Sequence, residues 1–156
     1  MTGIAEAIAA HQAGDLARAE RLYRKLIAAK CDLFHANHYL GVLRLQCGHP
    51  EEAKQFIGRA LKIDPKDDNA HYHYGMALSA LKHHEDALSS FEQAIALNSK
   101  NASAHNNRGV TLLALKRHKE ASPASMPPSR SIRCLSRRTT IAATRSGNCA
   151  YLVLRF

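Results

Sequence analysis

Three stretches, YLGVLRLQCGHPEEA at 39–53, HYGMALSALKHHEDA at 73–87 and NRGVTLLALKRHKEA at 107–121, are variants of one pattern. Gly41, Gly75 and Gly109 fall 34 residues apart, as do Ala53, Ala87 and Ala121, each alanine twelve residues after its glycine. Ala60 recurs as Ala94, and Leu61 as Ile95. A weaker copy lies upstream, where Gly14, Ala19 and Tyr23 stand at the positions of Gly48, Ala53 and Ile57. A fixed period of this length marks a stacked repeat, in which each unit buries its apolar face only against its neighbours.

One unit reads as two helices. FHANHYLGVLRLQC has helical periodicity and ends at Gly48, which tolerates the positive φ of a helix C-terminus. Pro50 suits the first turn of a second helix, and Glu51 and Glu52 suit the positive end of its dipole. Pro65 stops that helix. The glycine of each first helix and the alanine of each second allow the pair to approach closely, and larger side chains there would overpack the contact at about 1–3 kcal/mol. Helices are therefore predicted at 3–13, 16–29, 34–47, 51–63, 68–81, 85–97 and 102–115, with an eighth beginning near 119. The units run 1–33, 34–67, 68–101 and a truncated 102–121. The predicted fold is all-α, a right-handed superhelical solenoid of antiparallel helix pairs with about 3.5 units, followed by a disordered or irregular tail.

The 34-residue period with its Gly, Ala, aromatic and Pro positions resembles the tetratricopeptide repeat over residues 1–121. Gly75, Ala87, Phe91, Ala94 and Pro65 carry the resemblance. His71, His105 and Arg108 stand where the family has Trp or Leu, and Cys31 and Ser99 where it has Pro. The segments SAHNNRGVTLLALKRHKEA and EDALSSFEQAIALNSKNA are also similar to repeats of bacterial O-linked N-acetylglucosamine transferase-like proteins. In that family Asn lines the superhelical groove from one first-helix position. Asn107 matches it, whereas His73 and Tyr39 occupy the equivalent sites.

The chain has 156 residues, 46% of them hydrophobic, with no Trp. No run approaches the roughly 18 apolar residues of a membrane span, and MTGIAEAIAAHQAGD is not a secretory signal. The expectation is a cytoplasmic protein. Cys31, Cys47, Cys134 and Cys149 lack metal-type spacing and read as small apolar residues. The net charge is +9, yet six of the 22 basic residues and none of the 13 acidic ones lie in 122–156. The first 121 residues thus carry 16 basic and 13 acidic side chains, close to balance.

That tail has no period and departs from the repeat in mid-helix. Read one base back with synonymous codons, it spells a further unit, with Phe, Pro, Gly and Ala at repeat positions. It is therefore expected to be repeat sequence in the wrong reading frame. Its arginines are then not a nucleic-acid patch, and its lack of acidic residues predicts poor solubility.

No nucleophile elbow, phosphate loop, catalytic triad or paired carboxylates can be located, so no catalytic residue is expected. Nor is a cofactor or metal site. His35, His38, His71, His73 and His105 lie on first helices, but the roughly 10 Å between units disfavours convergence on one ion. His83, His84 and His118 are expected in exposed turns. What the resemblance implies is binding on the concave face, lined by His35, His38, Tyr39, Val42, Asn69, Tyr72, His73, Met76, Asn106, Asn107 and Val110. Hydrogen-bonding rings, amides and small apolar groups suit a protein partner or an extended peptide. No Lys or Arg clamp for a carboxylate is present. Nucleic acid and membrane are not expected as partners, and self-association through the uncapped C-terminal end is a further expectation. The alternative is a truncated, substrate-recruiting arm of a repeat-containing glycosyltransferase, inactive alone.

Overall fold

Among residues 3–115, which the computed structural model describes, the secondary structure is seven helices and no strand. They are α1 (Ile4–Gln12), α2 (Leu16–Ala28), α3 (Leu33–Gln46), α4 (Pro50–Ile63), α5 (Asp68–Ala80), α6 (His84–Leu97) and α7 (Ala102–Ala114). The expected ends hold to within a residue or two. The eighth helix, the tail 122–156, its two cysteines and His118 fall outside the described residues.

Local chemistry explains the boundaries. Asp15, Asp67 and Asn101 cap α2, α5 and α7, each side chain accepting from the backbone N–H three residues on, at 3.0, 2.6 and 3.0 Å. Pro50 opens α4 with Glu51 and Glu52 in its first turn. Gly14 and Gly48, at φ 81° and 77°, turn the chain between the two helices of their units. At the equivalent point of the next unit Lys82 adopts φ 63°, a left-handed conformation that a side chain makes costly.

Successive helices pack as antiparallel pairs, α1 with α2, α3 with α4 and α5 with α6. A large side chain of each second helix meets a small residue of the first. Ile57 and Phe91, each 1% exposed or less, fill the space opposite Gly41 and Gly75, and in the first unit Tyr23 and Ala7, at the matching positions, are buried in one cluster. The fit leaves no slack. A Cβ at Gly75 would lie 2.7–2.8 Å from the Phe91 ring, and one at Gly41 would collide with Ile57 Cγ1. Gly109 repeats the position, with no neighbour within 4 Å of such a Cβ.

Arg44 adds a polar tie. Its guanidinium, 13% exposed, pairs with Glu20 of α2 and lies 3.3 Å from Glu52 of α4, joining unit one to unit two. Further on, Asp68 at the start of α5 accepts from Asn98 and Asn101 in the loop before α7, at 3.0 and 3.1 Å. His71 and His105 sit one unit apart and make the same bond, each ring to the carbonyl of the residue six before, Pro65 and Ser99, at 2.9 and 3.1 Å. Where the family has Trp or Leu, these imidazoles hold the loop by a hydrogen bond.

Gly75→Ala is expected to destabilise by about 1–3 kcal/mol, and Gly75→Ala with Phe91→Leu by less than the two changes summed, because the smaller side chain admits the methyl. Denaturant titration of the three variants reads this, and strict additivity would contradict the contact. Lys82→Gly is expected to stabilise by about 0.5–1 kcal/mol, relief of strain exceeding the entropy glycine adds to the unfolded chain; a lower melting temperature would refute that.

Candidate interaction face

Which side of the array is inner follows from contacts between alternate helices. The first helices touch one another in sequence, α1 with α3, α3 with α5 and α5 with α7, whereas α2, α4 and α6 do not meet. A stack whose first helices converge and whose second helices diverge is concave on the first-helix side. The divergence is visible outside as a cleft of about 380 Å³ lined by Lys54 of α4 and by Asp86, Ser89 and Ser90 of α6, with Tyr74 and Leu78 of α5.

The floor of the inner face is built from residue pairs 35 apart, joining each first helix to the next. His38 Nε2 lies 3.0 Å from His73 Nδ1, between α3 and α5. One unit on, Asn107 donates its amide to the Tyr72 hydroxyl at 3.3 Å, between α5 and α7. His11 and Gln46 make a third such bond, between α1 and α3, at 2.9 Å. Because the Gln46 oxygen only accepts, the His11 Nε2–H donates, leaving Nδ1 to accept from the Tyr23 hydroxyl 3.3 Å away. Burial pushes the Tyr23 phenol well above its ordinary range, which keeps that proton in place.

Rings continue the floor. Tyr39 stacks on Tyr23 at 6.2 Å, on His38 at 5.3 Å and on His35 at 6.3 Å, all within 20° of parallel. His38 meets His73 at 5.1 Å, His73 meets Tyr72 at 5.1 Å, and Tyr72 reaches the core ring Phe91 at 6.1 Å. His38 and His73 are held neutral. Desolvation, with the neighbouring His35 for the first and His38 for the second, lowers each to about 4.

The eleven residues expected on this face separate by accessibility. His38 and Val42 are buried, at 5% and 7% exposed, and belong mainly to the packing between helices. Tyr39, Tyr72, His73, Met76 and Asn107 are half-buried, each offering part of its surface. His35, Asn69, Asn106 and Val110 are exposed. His35 bonds Asp32 through Nδ1 at 2.6 Å, which fixes its ring. Of the charged first-helix residues, Arg44 is tied down as described and Arg108 pairs with Glu92 of α6 at 3.3 Å. Sequence reading noted Arg108, His71 and His105 only as departures from the repeat, passed over Arg44, and found none of the bonds that these residues or His11 make. Their partners lie on other helices or in loops, where periodicity gives no signal. His83 is exposed as expected, but His84 is half-buried. Among the described residues no group of three His, Cys, Asp or Glu could hold a metal ion, and no helix is long and apolar enough to cross a membrane.

Two family models, both described as tetratricopeptide repeat, match residues 10–81 and 75–124. The chain belongs to the tetratricopeptide repeat family. No curated protein matches it in sequence. Among solved structures, MamA from Desulfovibrio magneticus RS-1 superposes with a TM-score of 0.71 at 22% identity, over 76% of this chain and 67% of that one. A second MamA structure gives 0.69 at 24% identity, over 74% and 67%. The O-GlcNAc transferase of Thermobaculum terrenum gives 0.66 at 29% identity, over 70% of this chain and 21% of the transferase. The likeness to the MamA chains establishes the fold, and this chain spans about two thirds of them. The repeats are those of a protein-interaction scaffold.

The two floor histidines set a pH dependence. Unfolded, each takes up a proton near 6.5, whereas folded it stays neutral down to about 4. Between these values the unfolded chain binds more protons, so stability falls as pH drops through the window and this contribution is level above it. His73→Asn, which places at 73 the residue found at 107, is expected to flatten that slope by about one proton at mid-window. Denaturation at a series of pH values measures it, and an unchanged slope would show that His73 titrates normally in the fold.

Proposed function

We propose that this chain is a non-catalytic scaffold that binds an extended segment of a partner protein along the first-helix face. One observation carries the reading. The rings and amides of successive first helices form a continuous, nearly uncharged surface whose hydrogen-bonding groups are only partly used up by the fold. Asn69 and Asn106 are exposed, and the Tyr72 hydroxyl accepts from Asn107 while its own proton stays free to donate. Such groups match the backbone of an extended peptide, while Tyr39, Met76 and Val110 offer apolar contacts to its side chains. The partner is a protein or peptide, with neither nucleic acid nor membrane required, and the site is in the cytoplasm.

The second reading is a truncated recruiting arm of a glycosyltransferase-like enzyme, inactive alone. Its support is the 29% identity to the O-GlcNAc transferase over a fifth of that chain, together with Asn107. Sequencing the gene downstream of the Ala121 codon separates the two. Further repeats and a catalytic domain in the other frame would favour the arm.

Peptides selected from a display library on the full chain are expected to lose about fivefold or more in affinity with Asn106→Ala or Tyr39→Ala. Arg59→Ala on the outer helix α4 should leave them unchanged. Binding that follows Arg59 and ignores the inner face would overturn the proposal.

A further inference from the structure

The outer, second-helix side of the array reverses its charge between α2 and α6. Four positions on the solvent side of the second helix recur at the repeat period. In α2 they hold Arg18, Arg21, Arg24 and Lys25, all exposed. In α6 the same positions hold Asp86, Ser89, Glu92 and Gln93, again all exposed. Between them α4 has a mixed set, Glu52, Gln55, Gly58 and Arg59. The remaining charges agree, since α2 adds only Glu20, and α6 adds Glu85 and has no Lys or Arg. The arginines at 18 and 24 thus become an aspartate at 86 and a glutamate at 92, with their spacing kept. The two faces have one layout and opposite sign.

Little of this charge is neutralised within the chain. Arg21, Lys25 and Glu85 form no ion pair or hydrogen bond among the described residues. Arg18 pairs with Glu6 at 2.8 Å, Arg24 with Glu20 at 3.0 Å and Glu92 with Arg108 at 3.3 Å, while Asp86 lies 3.9 Å from His83. Pairs as exposed as these hold their partners weakly and exchange them readily. The complement of each face is present in the chain but out of its own reach, because α2 and α6 make no contact with each other. A polyanion would match α2 alone and leave α6 unmatched. A second copy of this chain matches both.

We infer that copies of this chain associate head to tail, the basic outer face of α2 in one copy against the acidic outer face of α6 in the next. The contact is heterologous, so each copy keeps one face open after the first has docked, and association proceeds past a dimer to a ring or an open chain. Complementary charge sets the register, and salt screens it. The inference stands apart from the peptide-binding reading, which concerns the inner face.

Sedimentation of the full chain at a series of concentrations, in about 20 mM and about 500 mM sodium chloride, is the test. At low salt the average mass is expected to rise with concentration past that of a dimer, and at high salt to return to the monomer. Two exchange variants probe the faces. Arg18→Asp with Arg24→Glu opposes two acidic faces, and Asp86→Arg with Glu92→Arg opposes two basic ones. Each alone should associate at least about tenfold more weakly, whereas an equimolar mixture recovers, each variant supplying the face the other lacks. Far-UV circular dichroism checks the folds. If an exchange variant unfolds, Arg21→Gln and Glu85→Gln decide, each expected to weaken association severalfold. A chain that stays monomeric at low salt, association indifferent to salt, or a mixture no more associated than its parts overturns the inference. So does association lost on reversing α6 but kept on reversing α2, which would give the acidic face to another basic segment, such as the Arg-rich 122–156.

Discussion

The close approach of two helices over a missing side chain is the constraint on which the rest depends. Phe91 lies against Gly75, and Ile57 against Gly41, with no space for a methyl between them. That contact fixes the distance within a pair. The distance within a pair fixes how each pair presents its flanks to the next, and in a solenoid each unit is ordered only by its neighbours. In the first unit Ala7 and Tyr23 occupy the matching positions and are both fully buried in one cluster.

The second level of order is polar and lies on the inner side. Bonds at His11–Gln46, His38–His73 and Tyr72–Asn107 each join a first helix to the next. Apolar packing is forgiving of small rotations, and a hydrogen bond is less so. These pairs set the register of one unit against the next while the apolar core supplies most of the cohesion. Burying neutral imidazoles to do so has a consequence. The same groups that order the floor at neutral pH oppose folding once the solution is acidic enough to protonate them.

The proposed binding draws on what the fold leaves over. His38 and Val42 are consumed by packing, and His73 and Tyr72 are half-consumed. Asn69, Asn106 and the free proton of the Tyr72 hydroxyl remain. A groove assembled this way is mostly rigid ring and amide, with little side-chain entropy left to lose on binding. The charged residues that could have biased it, Arg44 and Arg108, are turned toward carboxylates on neighbouring second helices.

From the sequence alone the architecture was legible, because it is written in a period. Gly41, Gly75, Ala53 and Ala87 named the close contact, and Gly48, Pro50 and Pro65 placed the helix ends. These are local signals, each imposed by the conformation or size of a single residue. The site was legible only as a list of first-helix positions. Tertiary structure decided how far each of them is buried: His38 is closed in against His73 of α5, whereas Asn106, at the equivalent position of the last described helix, is exposed. It also decided the roles of Arg44, which the pattern passed over, and of His71 and His105, which read as departures from the repeat and are in fact its ties. Their partners lie on other helices or across a loop. Periodicity tells a residue which way it faces, but only packing tells it what it meets.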